Sequence, residues 1–165
     1  MRFVVPVLAA GVAVLAFSAP VVAQKADDQI APKSVELQKQ GESLLAAGKF
    51  EQAEDALEAS LAVDPRNRWA FVDLARVAEK QQLFGKAVRM SNKALLLEPN
   101  DPDAIAVQGE AMVELGATAR AQANLQKLQT ICGAKGCPQV AQLSGAISRG
   151  PTVAAAKAPE SPKSN

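Results

Sequence analysis

The chain has 165 residues, 18 Lys+Arg against 17 Asp+Glu, a net charge of +1 and no histidine. Near-neutral charge without a basic run gives no electrostatic basis for nucleic-acid binding. The lack of histidine removes the commonest general base and metal ligand together, so no Ser–His or Cys–His nucleophile, metal site or cofactor is expected.

The chain opens on MRFVVPVLAAGVAVLAFSAPVVA, in which Arg2 is the sole charge before an apolar stretch ending in small side chains at Val21 and Ala23. This pattern predicts a signal peptide over residues 1–23, cut between Ala23 and Gln24, and hence export to the bacterial periplasm. The alternative is an uncleaved inner-membrane anchor through residues 3–23, because an uncharged run of this length can span a bilayer. Membrane contact is expected only through that leader, where it is kept. Its removal takes away Arg2 alone and leaves the charges balanced. Residues 24–33 and 149–165 hold few large apolar side chains to offset their ordering entropy, and are predicted to be a disordered linker and tail. One domain over residues 34–148 remains, long enough for its own core.

Within that domain GKFEQAEDALEASLAVDP and FGKAVRMSNKALLLEP align without gaps, so that Phe50/Phe84, Ala53/Ala87 and Pro65/Pro99 recur at one common step. The same step continues to Ala121, and two steps carry Gly41 to Gly109 and Gly48 to Gly116. A fixed period of this length predicts stacked supersecondary units. Leu37, Leu44 and Leu45 mark a first helix, and Phe50, Ala53, Leu57 and Leu61 a second. Phe71, Leu74, Ala75 and Ala78 mark a third, followed by Phe84, Ala87, Val88 and Leu95. Spacings of three, four and seven put such side chains on one helical face. Gly48 supplies a tight reversal, small residues such as Gly41, Ala53, Ala75 and Ala87 allow close helix approach, and Asp64-Pro65 and Glu98-Pro99 end the units. After the third unit, CPQVAQLSGAISR starts on Pro138 and repeats Val140, Leu143 and Ile147. This predicts a capping helix over about 137–148 that covers the last apolar face.

The chain resembles the tetratricopeptide repeat family. The family's pattern places are held by Leu37, Gln40-Gly41, Leu44, Ala53, Leu57, Ser60 and Pro65 in residues 34–67. In residues 68–101 they are held by Phe71, Leu74-Ala75, Ala78, Ala87, Ser91, Ala94 and Pro99. In residues 102–135 they are held by Ile105, Gln108-Gly109, Met112, Ala121, Leu125 and Leu128, with Gly133 at the proline place. The resemblance implies an all-α, right-handed α-solenoid of three helix-turn-helix repeats plus a C-terminal capping helix. It also implies a non-catalytic scaffold whose concave face, lined by the first helix of each repeat, binds a peptide segment of an envelope protein. The charged and aromatic residues at the concave positions are Lys39, Glu42, Trp69, Asp73, Arg76, Lys80 and Glu110, with Val35, Gln38, Val72, Asp103, Ala106 and Glu114 beside them. One branch of the family clamps a C-terminal carboxylate. The corresponding residues here, Gln38, Glu42, Asp73, Asp103 and Val107, do not match, so that clamp is not expected.

Two features keep more than one reading. Trp69, the sole tryptophan, is either a stacking anchor for a partner or a ring laid over the Pro65 turn. Lys39/Glu42 and Asp73/Arg76 are three apart, the spacing of weak pairs on a solvated face. In the repeat register Cys132 ends the sixth helix and Cys137 precedes the cap, so an oxidising compartment predicts a structural disulfide latch. The alternative is a thiol-disulfide redox protein using the same two cysteines, although redox pairs usually have two intervening residues in a βαβ setting. A purely structural assembly subunit is the third reading.

Overall fold

The computed structural model describes residues 29–152. The leader, its cleavage point at Ala23 and Gln24, residues 24–28 and residues 153–165 lie outside the described residues. Seven helices follow one another: α1 (Pro32–Ala46), α2 (Phe50–Val63), α3 (Arg68–Lys80), α4 (Phe84–Leu97), α5 (Pro102–Glu114), α6 (Thr118–Cys132) and α7 (Pro138–Arg149). No strand occurs among the described residues, and none of these helices is long and apolar enough to cross a membrane. α1 packs on α2, α3 on α4 and α5 on α6, while α7 lies against both α5 and α6.

Local chemistry explains where the helices start. Asn67 caps α3 by accepting from the Ala70 N–H. Asp101, at the equivalent place one repeat on, caps α5 by accepting from the Asp103 and Ala104 N–H groups at 2.9 and 3.1 Å. Such caps satisfy donors that the first turn leaves orphaned. Proline opens α1, α5 and α7, where its missing N–H costs nothing.

The ordered part is longer at both ends than the predicted domain. α1 begins at Pro32, and the residues ahead of it are tied down: the Ala31 N–H donates to Asp64 Oδ2 at 3.0 Å and Arg66 Nη2 to the Gln29 carbonyl at 3.3 Å. α7 includes Arg149, and the Thr152 N–H and hydroxyl donate to Glu114 Oε2 at 2.8 and 2.9 Å.

The turn inside each helix pair needs one left-handed residue. Gly48 and Gly116 both have φ 74°, and the equivalent place in the middle pair is held by Gln82 at φ 60°. Helix approach uses glycine differently. A Cβ on Gly41 would stand 2.5 Å from Leu57 Cγ, and one on Gly109 would stand 2.6 Å from Leu143 Cδ1. The first notch seats α2 on α1, and the second seats α7 on α5.

Ala53, Leu57, Ala70, Leu74 and Val77 form the core of the first half. Ile105, Ala106, Leu128 and Leu143 form that of the second, with Val140 and Ile147 of α7 packed against it. The capping helix is therefore part of the core. Behind it, Gln108 Nε2 donates to Asn92 Oδ1 at 2.6 Å, and Asn124 Nδ2 donates to Gln108 Oε1 at 2.8 Å, linking α4, α5 and α6.

Candidate functional site

The first helix of each pair, together with α7, lines an inner face, and a polar ladder crosses it. Gln38 Nε2 of α1 donates to Asp73 Oδ2 of α3 at 2.6 Å. Arg76 Nη1 donates to Asp73 Oδ1 at 3.0 Å, and its Nη2 reaches Asp103 Oδ1 of α5 at 2.7 Å. Gln139 Nε2 of α7 completes the row on Asp103 Oδ1 at 3.1 Å. The predicted Asp73/Arg76 pair forms, but Arg76 spends its second nitrogen on the next helix. A solvated (i, i+3) pair contributes little. This one is anchored on an almost fully buried carboxylate.

Burial pushes the Asp73 carboxyl above its ordinary range, while the Gln38 hydrogen bond and the Arg76 guanidinium pull it back. The effect is stronger beyond the ladder. Burial raises Glu79 to about 8, with the Glu110 charge adding to the rise. Glu110 is itself raised by burial, against the opposing Gln142 hydrogen bond and Arg149.

An open cleft of about 410 Å³ lies over the ladder. Val72 and Asp73 form its buried floor, Lys39 and Glu42 stand exposed at its edge, and Trp69, Arg76 and Asp103 complete the wall with Val35 and Gln38. Five of the seven predicted charged and aromatic groove residues thus come together: Lys39, Glu42, Trp69, Asp73 and Arg76. Lys80 and Glu110 do not line it. For Glu110 the physical reason is α7, which lies against α5, takes Ala106 into the core and hydrogen-bonds Glu110 through Gln142, whereas Lys80 stands exposed as the last residue of α3. The accessible cleft is accordingly the work of the first two helix pairs and the start of α5. Gln139 was not among the expected positions. The signal that could have found it is the pairing of the Gly109 notch with Leu143, which sets α7 alongside α5.

Trp69 keeps 45% of its surface exposed, and the Arg68 guanidinium lies 4.2 Å from its ring centroid. The ring lines this cleft and also a second one, bordered by Ile30, Leu96 and Leu97. At the far end, α6 stops at Gly133 with φ 58°, Gly136 turns the chain at φ 66°, and Cys137 precedes α7. The structure pairs Cys132 with Cys137, their Cα atoms 5.6 Å apart. Among the described residues no group of three or more His, Cys, Asp or Glu is placed to hold a metal ion.

Residues 44–109 match the family model described as tetratricopeptide repeat. No curated protein matches the sequence. The fold is similar to that of the Sgt2 TPR domain from Aspergillus fumigatus, at 19% identity over 72% of this chain and 79% of that one, with a TM-score of 0.66. It is similar to the first TPR of Spaghetti (RPAP3) bound to the HSP90 peptide SRMEEVD, at 20% identity over 71% and 91% of the two chains, TM-score 0.64. PcrH in complex with the chaperone binding region of PopB matches at 17% identity over 68% and 93%, TM-score 0.62. Seven α-helices in this order among the described residues, one repeat step shared by Phe50/Phe84 and Pro65/Pro99, and the matched pattern lead to one conclusion: the fold is that of a tetratricopeptide repeat solenoid, with residues 44–109 matching that family's model.

Proposed function

We propose that this protein is an exported, non-catalytic scaffold of the bacterial periplasm that holds a peptide segment of an envelope protein in its concave cleft. The observation that carries this reading is the open cleft over the α1–α3–α5 ladder, in which five register-predicted side chains converge on a pre-ordered floor. A floor whose polar groups are already satisfied loses little entropy on binding. Similar folds hold peptides, as in the RPAP3 complex with an HSP90 peptide and the PcrH complex with PopB. Export is read from the leader, and the Cys132–Cys137 pair is read as a disulfide latch that an oxidising compartment would preserve. The pair sits in a helix–turn–helix setting, which supports a structural role over thiol-disulfide exchange.

Site-specific photo-crosslinking in intact cells tests this reading. A crosslinker at Lys39 on the cleft edge should capture one defined envelope protein in the periplasmic fraction, and a crosslinker at Glu58 on α2 should not. Equal capture from both positions would remove the cleft as the binding site. Recovery of the chain with its leader intact in the membrane fraction would replace export by anchoring.

A further inference from the structure

The segment that enters α7 has little to hold it besides the two cysteines. Gly133, Ala134, Lys135, Gly136 and Pro138 are all exposed, and Gly133 and Gly136 both carry positive φ. Cys137 caps α7 without a side-chain hydrogen bond. The backbone bonds here are local: the Gly136 N–H donates to the Gly133 carbonyl and the Val140 N–H to the Cys137 carbonyl, each at 3.1 Å. The apolar anchors of α7, Val140, Leu143 and Ile147, all come after Gln139. The Cys132–Cys137 pair is therefore what ties its first turn to α6.

Gln139 lies in that first turn, two residues beyond Cys137, and its side chain reaches the concave face. Its Nε2 donates to Asp103 Oδ1 at 3.1 Å, the same oxygen that accepts from Arg76 Nη2 at 2.7 Å. On the other side of Arg76 the Asp73 side chain is 4% exposed and fixed by burial, whereas that of Asp103 is 43% exposed. Among the described residues the Asp103 carboxylate has two polar partners, Arg76 and Gln139. A half-exposed ion pair is screened and contributes little alone, but a second donor on the same oxygen restricts the carboxylate and completes the network. Without Gln139 that carboxylate turns to water, and Arg76 loses the partner that draws its Nη2 across the cleft wall.

We propose that the Cys132–Cys137 disulfide controls the concave cleft as well as α7, with Gln139 as the positioning residue between them. The inference rests on the reading of the pair as a disulfide and of the cleft as the binding site. In the oxidised chain the bridge holds Gln139, Gln139 holds Asp103, and Asp103 with Asp73 fixes Arg76 in the cleft wall. A dithiol reductant opens the bridge by thiol-disulfide exchange: its own two thiols become a disulfide, and the two electrons and two protons leave Cys132 and Cys137 as thiols. The first turn of α7 then loosens while Leu143 stays in the Gly109 notch. The far end of the ladder is released, so partner affinity follows the thiol redox state.

The test needs no partner. NMR of the full chain reads the indole N–H of Trp69, the sole tryptophan, and the Arg76 Nε–H, both in the cleft wall. Dithiothreitol should shift both signals in the wild type, and Cys132→Ser/Cys137→Ser should give the reduced positions without it. Oxidised Gln139→Ala should show the same displacement, and dithiothreitol should then move neither signal further, because both changes act through one contact. The Leu143 methyl signals should stay in place throughout. Unchanged signals on reduction of the wild type, or an equal shift on reduction of Gln139→Ala, would overturn the proposal. So would displaced Leu143 methyls, because the cleft would then be responding to loss of the whole cap. The Lys39 crosslink succeeds or fails independently of these shifts, which separates this proposal from the binding role of the cleft.

Discussion

Ser34, Ser60 and Asn67 form a fully buried knot in which each serine hydroxyl donates to the other residue's carbonyl, at 2.9 and 2.7 Å, and Asn67 Nδ2 donates to both hydroxyls, at 3.0 and 3.1 Å. One repeat later the same three places hold Arg68, Ala94 and Asp101, and an Arg68–Asp101 ion pair replaces the knot. In the third unit they hold Pro102, Leu128 and Lys135, and Leu128 is simply core. The backbone requirement is constant while the chemistry that meets it changes. Periodicity therefore locates such places, but only the structure shows which side chains satisfy one another. Glu79 carries a prediction of its own. Its carboxyl titrates near 8 in the folded chain and in the ordinary glutamate range when unfolded. Between those values the folded chain keeps a proton that the unfolded chain has released, so stability falls as pH rises through that window. Glu110 is raised in the same sense. Thermal unfolding should occur about 5 °C lower at pH 9 than at pH 5.5, and Glu79→Gln should remove much of that slope. An identical slope in the variant would show that Glu79 does not cause it.

At the scale of helices and turns, the repeat register made six helices and a cap legible, because apolar spacing and proline punctuation are local signals. The turn at Gln82 was less legible, since a residue other than glycine hides its positive φ. A non-glycine residue in that region is strained by about 1–2 kcal/mol, so Gln82→Gly should raise stability by about 0.5–1 kcal/mol after its extra unfolded-state entropy. Denaturant unfolding checks this, and a loss of stability would contradict it. How deeply α7 enters the core could not be read from its own amphipathic pattern, because the Gly109 notch that admits Leu143 lies two helices earlier, on α5. The loop between α6 and α7 closes only a short ring, for which a bridge contributes about 2 kcal/mol. Cys132→Ser should therefore accelerate hydrogen exchange across 138–149 before any other helix. Unchanged exchange there would remove the latch from the account.

For the whole molecule, α7 decides how much of the inner face is available. Periodicity puts the expected concave residues on the first helix of each pair, yet it does not show that α7 folds against α5 and engages Glu110, which, like Lys80, does not line the cleft. What remains is a two-pair cleft with a polar floor tied across four helices. The most direct test takes the segment captured through Lys39 and titrates it, as a synthetic peptide, into the full chain, the Lys39→Ala/Trp69→Ala double variant and Leu96→Asp. Loss of an aromatic anchor and an edge charge should weaken binding at least about tenfold in the double variant, with helicity unchanged, while Leu96→Asp retains wild-type affinity. Wild-type affinity in the double variant would contradict the concave cleft as the site at which this protein holds its partner.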